Sequence, residues 1–418
     1  MPHRSPFVFA VAARVSNLAV LALCALSLPA HAQTWTLAWS DEFNGSAHSA
    51  IDSAKWQFEY GDLKVNDELE WYCGPSDDAK NQPPCNSSQA SNAFIDGQGH
   101  LVIQAFRITP DTAPSSKAWT SARMNTANNL ASFQYGRIEA RIKLPVGPGI
   151  WPAFWALGTN IAKVDWPGSG EIDFMENVPA SGRLGPKTVK STIHGPTYFG
   201  GDGLGQDYVF PSGSDVTAFH TYGAIWSPSM VQFYVDDPAN VFFVRTASDV
   251  PGGPTQWAFN HPFFLLLNLA IGGKGSWPGA PDSTTPSPAK MLVDYVRVYK
   301  SSAVSAPLMT ASPITLSAAG EGSSTLHLKA VSGGGLVYLE CSGAPEGATC
   351  AIDSGNALNS HIVDFRASAI ATATVRVTTT SRTAPAVPSS RLGTHTLSVT
   401  AFTLSGDTST VAIPLAAN

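Results

Sequence analysis

Charge is scarce in this chain. Lys, Arg, Asp and Glu together make up 13% of the 418 residues, about half the usual share for a soluble domain. The charges are scattered, no Lys/Arg-rich run occurs, and the formal net charge is −6. These features argue against nucleic acid as a partner. Long apolar runs are also missing. The most apolar stretch, from about Leu18 to Leu28, covers roughly 11 residues, whereas a helical membrane span takes about 20. No long stretch carries a helical hydrophobic period. Cysteine is limited to five positions.

What is plentiful is Gly (36), Pro (31) and aromatic residues (10%), the composition of a secreted, turn-rich β protein. Arg4 and Arg14 precede the Leu18–Leu28 run, and Pro29-Ala30-His31-Ala32 supplies a small-x-small site. Residues 1–32 therefore read as a secretory signal peptide cleaved before Gln33. Leu23-Cys24 lacks the small residue of a lipoprotein site, so the mature chain is expected to be secreted and free of the membrane; a monomer is expected. Periplasmic and extracellular residence both stay open. Export permits disulfides. Cys24 leaves with the signal, and the four remaining cysteines allow several connectivities. The local pairs Cys73–Cys85 and Cys341–Cys350 are expected, because each lies within one apparent domain. A competing zinc site lacks both the short ligand spacing and a nearby histidine pair.

Residues 33–300 read as many short strands. Apolar and charged residues alternate strictly from Ile138 to Leu144, and Leu101–Ala105, Val231–Val235 and Leu292–Val298 are strand-like. Turn signals such as Asp96-Gly97, Pro148-Gly149 and Gly272-Gly273 punctuate them. The expected architecture is all-β, a large antiparallel sandwich. Ser301 to Leu308 looks like a linker. Residues 309–418 are rich in Ser, Thr, Ala, Val and Gly, contain no Trp, and show short alternating runs. They suggest a small immunoglobulin-like β-sandwich acting as a spacer or stability module. Without a tryptophan for stacking, its case as a sugar binder is weak.

Gly170-Glu-Ile-Asp-Phe-Met-Glu-Asn177 places three carboxylates in six residues of otherwise apolar, strand-like sequence. Strand side chains alternate between faces, so Glu171 and Asp173 share one. Glu176, five positions after Glu171, falls on the other face unless a β-bulge near Phe174-Met175 returns it. With the bulge, the two glutamates lie about four regular positions apart, roughly 13 Å between Cα atoms at about 3.3 Å per residue. Glutamates leaning together can close that gap to the roughly 5–5.5 Å of a retaining glycosidase, although the wider inverting gap is not excluded. Beside the acids stand Trp151, Phe154, Trp155 and Trp166. Trp151 and Trp155, four apart, should face the same way, and indole rings pack on the C–H faces of sugars. Phe154 reads as core.

Ile150–Leu157 followed by Gly170–Glu176 resembles glycoside hydrolase family 16, and within it the bacterial laminarinase-like endo-β-1,3-glucanases. Asp41–Phe43, Asn66–Trp71, Thr120–Asn125, Thr192–Gly195, Phe263–Ala270, Ser276–Gly279 and Leu292–Tyr299 match in the same order. The resemblance covers nearly all of residues 35–300 and none of the C-terminal region. It implies a β-jelly roll with a cleft on its concave face. It also implies a retaining mechanism, with Glu171 as nucleophile, Glu176 as general acid/base and Asp173 assisting between them. The extra residue in the acid motif is that of the laminarinase-like branch. Arg123 and Asn66 match positions that contact sugar hydroxyls in the family, and His194 matches a histidine beside the acids that can bond a carboxylate or sugar. Trp151 and Trp155 by their indoles, and Trp277 by its Pro/Gly-rich loop, are further candidates for holding sugar. Their bland readings are a satisfied histidine, a salt bridge, a turn and core packing. No cofactor is implied for catalysis. A structural Ca2+ is implied on the backbone carbonyls of Glu42 and Gly99 and on Asp294. The implied substrate is a β-1,3-glucan polysaccharide such as laminarin, with mixed-linkage glucan also in range. Agarose, carrageenan or β-galactan hydrolysis, or glucan binding without catalysis, are the alternatives.

Overall fold

The computed structural model describes residues 34–75, 78–82, 84–85, 91–108, 117–178, 185–302, 305–317, 320–331, 335–366, 368–379 and 395–417. The expected signal segment, residues 1–32, lies outside them. Among the described residues, helix is confined to Ile161–Val164 and two three-residue 3-10 turns, and nearly everything else regular is strand. The all-β reading holds, and the architecture is a jelly roll followed by a second β-sandwich.

Strands between Trp35 and Ser301 form a ten-stranded and a seven-stranded sheet. The reason is visible strand by strand. In Gly136–Lys143, Ile138, Ala140 and Ile142 point inward and are fully buried, while Arg137 and Arg141 face outward. In the seven-stranded sheet, Phe263–Ile271 is buried along its whole length, as expected of a central strand covered on both faces. Between the two sheets lies one continuous core that includes Ile138, Phe154, Ile172, Phe174, Met175, Ile193, Phe233, Leu265 and Val298. Apolar burial of this extent is the main stabilising term of such a fold.

The C-terminal region folds as a four-stranded and a five-stranded sheet around their own core, including Leu326, Leu339, Val375, Val399 and Ile413. The strand Glu321–Lys329 shows why: Ser324, Leu326 and Leu328 are buried, and the residues between them are mostly exposed. Cys341 and Cys350 form a disulfide. It joins a strand of the five-stranded sheet (Leu336–Ser342) to one of the four-stranded sheet (Ala348–Asp353). Cys73 and Cys85 are also bonded, so both local pairings are realised.

The stretch read as a linker is shorter in the structure. Ser301 still belongs to the strand Ala289–Ser301, and Leu308 already begins the next, Leu308–Ala311. The two sandwiches also share an apolar seam. Ile225, Met230, Tyr234 and Val244 of the first pack with Leu336, Tyr338, Ile362 and Leu404 of the second.

Candidate active site

The acid strand, Glu171–Glu176, lies in the seven-stranded sheet between Ile150–Gly158 and Thr188–His194. Both neighbours register the same irregularity. Glu171 faces Leu157 and Glu176 faces Ala153, so six residues of the acid strand oppose five of its partner. On the other side Glu171 faces His194 and Glu176 faces Lys190. The expected bulge is therefore present, between Asp173 and Met175. It turns two consecutive side chains, Phe174 and Met175, into the core. That returns Glu176 to the face of Glu171 and Asp173, where the three carboxyls act on one another.

Each glutamate is held by an indole. Trp151 Nε1 donates to Glu176 Oε1 at 3.0 Å, and Trp166 Nε1 donates to Glu171 Oε2 at 3.0 Å. His194 Nε2 lies 3.3 Å from Asp173 Oδ2 and 3.8 Å from Glu171 Oε1. Burial pushes all three acids above the usual carboxylate range. Asp173 adds repulsion on Glu171, and Glu176 on Asp173, while His194 and the indole donors oppose the rise at the two glutamates. A clustered set of acids that cannot all ionise together is equipped to hold a proton near neutral pH.

The other expected residues fall around this centre. Trp151 and Trp155 share the outward face of their strand, and Phe154 is core, as read from the sequence. Trp155 Nε1 donates to Asn268 Oδ1 at 2.8 Å, and the Arg123 guanidinium lies over the Trp155 ring at 4.7 Å. Arg123 also pairs with Glu59 at 3.0 Å, so the salt bridge and the tryptophan contact coexist. Trp277 meets Trp151 edge-on at 5.8 Å. Asn66 sits in an exposed turn with a left-handed backbone (φ 53°), and its side chain binds Glu68 at 3.1 Å. The same turn ties down the Trp277 loop, since Gly273 N and Gly275 N donate to Asp67.

Sequence reasoning did not assign three residues that shape this surface. Trp166 stands beside the acids in the sequence, where nothing in its spacing assigns it a role. Asn268 is the lone polar side chain in the apolar run Phe263–Ile271, which was its available signal. Glu70, in the matched Asn66–Trp71 segment, is buried, with Oε2 accepting from Ile271 N at 2.8 Å and Oε1 lacking a partner. Burial and the neighbouring Glu68 raise its pKa well above the carboxylate norm.

At the expected calcium position, strand register brings the parts together. Val293 pairs with Leu101 and Val296 with Asp41, so Asp294 lies near Glu42 and Gly99. The expected donors are all oxygens, the ligand type of a hard cation. Asp294 Oδ2 is bound by Arg141 at 2.5 Å, making that guanidinium the competitor for the carboxylate. The Glu42 side chain is engaged by Arg297.

Strand-borne carboxyls on an open β-sheet, walled by indoles, are the equipment of a glycoside hydrolase. The family model for glycosyl hydrolases family 16 matches residues 85–297. Glucan endo-1,3-beta-glucosidase A1 of Niallia circulans is 38% identical over 63% of this chain, and the match spans 38% of that protein's length. Beta-glucanase of Rhodothermus marinus is 35% identical over 64% of this chain and 85% of its own. Among solved structures, the endo-beta-1,3-glucanase of Pyrococcus furiosus superposes with a TM-score of 0.55 at 39% identity, covering 65% of this chain and 96% of its own. The chain belongs to glycosyl hydrolases family 16.

Proposed function

We propose that this chain is a secreted, endo-acting hydrolase that cleaves β-1,3-glucosidic bonds of laminarin-like glucan by retaining double displacement. The observation that carries the reading is the bulged acid strand, with Glu171 and Glu176 on one face and an indole N–H on each. The β-1,3-glucan specificity rests on what the matched relatives are named for.

In this mechanism Glu171 attacks the anomeric carbon while Glu176 gives its proton to the departing O3. Water, deprotonated by Glu176, then opens the glycosyl–Glu171 bond. Asp173 and His194 set the charge balance between the two steps. Trp151, Trp155 and Trp277 offer faces for sugar rings, with Arg123 and Asn268 behind Trp155. The chain acts after export, a reading that the two disulfides favour. The backbone carbonyls of Glu42 and Gly99 with the Asp294 carboxylate would hold Ca2+ on the ten-stranded sheet, away from the acids, where it would serve structure.

Purified protein incubated with laminarin, lichenan and agarose tests the substrate. Short oligosaccharides are expected mainly from laminarin. No new reducing ends from any β-1,3-glucan would remove the reading, and release from agarose alone would move the chain to another substrate.

A further inference from the structure

The seam between the two sandwiches leads to the wall of the acid cluster. The segment 247–257 has two sides. Toward the second sandwich, Ser248 Oγ meets Tyr338 OH at 2.5 Å, and Asp249 Oδ2 accepts from Asn359 Nδ2 at 2.7 Å. Asp249 is fixed for this contact by Thr246, whose N and Oγ1 both donate to Oδ2 at 2.7 Å. Toward the first sandwich, the same segment receives the turn that follows His194. Thr197 Oγ1 donates to Pro251 O at 2.5 Å, and Tyr198 OH donates to Gln256 O at 3.2 Å.

That turn is tight and has little freedom of its own. Gly195 and Tyr198 exchange both backbone hydrogen bonds, and the Tyr198 ring is fully buried. A Cβ at Gly195 would sit 2.4 Å from the Tyr198 ring. The next residue, Phe199, is 44% exposed and meets the 42% exposed Trp166 edge-on at 5.5 Å. Trp166 in turn donates to Glu171. Each link is a direct contact, so the second sandwich bears on the glutamate through two loops and one indole.

We propose that the C-terminal sandwich is a positioning element of the active site. Through Tyr338 and Asn359 it holds segment 247–257, which sets the Thr197–Phe199 turn and with it the aromatic wall that Phe199 and Trp166 form beside Glu171. Tyr338 and Asn359 are positioning residues, and Phe199 is the wall residue through which they act. This replaces the spacer reading of residues 309–418. It rests on the proposed glucanase function only for its kinetic test.

The test uses the full chain with the paired substitutions Tyr338→Phe and Asn359→Ala, which leave the apolar seam in place. Hydrogen exchange gives an activity-independent readout. Amides of residues 195–203 and 247–257 are expected to exchange about fivefold faster or more, fivefold being the lower end for the two hydrogen bonds removed. Those of residues 120–126 and 150–158 should be unchanged. Kinetics give the second readout: kcat/KM on soluble β-1,3-glucan should fall about threefold or more. The fall should vanish when the same pair is made in a Phe199→Ala background, since the wall is then already gone. Faster exchange confined to the seam strands, or an equal kinetic loss in both backgrounds, would overturn the proposal. A wild-type chain inactive on every β-1,3-glucan would overturn the glucanase reading, while the exchange result still decides this one.

Discussion

Trp151 and Glu176 are joined by a 3.0 Å bond from the indole Nε1–H to Oε1. The bond favours the ionised carboxylate, against the burial that raises its pKa. If Glu176 is the acid, its pKa sets the alkaline limb of the pH–rate profile. Trp151→Phe keeps a ring but loses the donor. The alkaline limb of kcat/KM should move to higher pH, and kcat at the optimum should fall about tenfold, the range for a hydrogen bond to a charged group. An unmoved limb would show that the indole packs on sugar without tuning the acid.

Trp166→Phe should act on the opposite limb. Glu171 must be ionised to attack, so its pKa sets the acidic side. Trp166 lowers that pKa through its N–H. Losing the donor raises the pKa, so the acidic limb should also move to higher pH and activity at pH 5 should fall more than at pH 7. A pH–rate profile of the variant checks this, and a shift of the alkaline limb alone would exchange the two roles.

Asp173 is buried beside both glutamates, and its folded pKa lies above the unfolded value. The sign follows from linkage: such a group favours the folded state at low pH and stops doing so as pH rises through the folded pKa. Asp173→Asn should therefore raise Tm by about 2–4 °C at pH 8, for about 1 kcal/mol of relief. The gain should vanish near pH 3, where the aspartate is protonated in both states. The same substitution removes repulsion from Glu171, so the acidic limb of activity should move to lower pH. Thermal melts at the two pH values give the first outcome and initial rates the second.

Calcium should raise the Tm of the wild-type chain and leave Asp294→Ala unaffected. Arg141→Ala, which frees the Asp294 carboxylate, should increase the calcium-dependent shift. Identical melts with calcium and with chelator would remove the metal from this corner.

The acid site was largely legible because its signal is local. Two glutamates five residues apart in strand-like sequence can share a face only through a bulge, and the burial of both Phe174 and Met175 is its structural counterpart. The paired cysteines were legible for the same reason. Trp166 was not assigned because its reach depends on the path of the loop after Ile161–Val164, where Asp165 takes a left-handed backbone (φ 55°). The seam was invisible for a different reason. Ile225, Tyr234 and Leu336 alternate like any core residues, and periodicity does not say which core a strand face joins. Asn66 was legible only as a motif position: its side chain bonds Glu68 in an exposed turn, and its neighbour Asp67 braces the Trp277 loop, a long-range contact that a motif match does not show.

Azide rescue of the two glutamate variants on an aryl β-1,3-linked glucoside is the most direct test of the central claim. In Glu171→Ala, azide should take the nucleophile's place and yield the α-glycosyl azide. In Glu176→Ala, the glycosyl–enzyme bond to Glu171 should still form, and azide should capture it as the β-glycosyl azide. A β-azide from Glu171→Ala, or hydrolysis by that variant at the wild-type rate, would contradict the assignment of Glu171 as the nucleophile of a retaining enzyme.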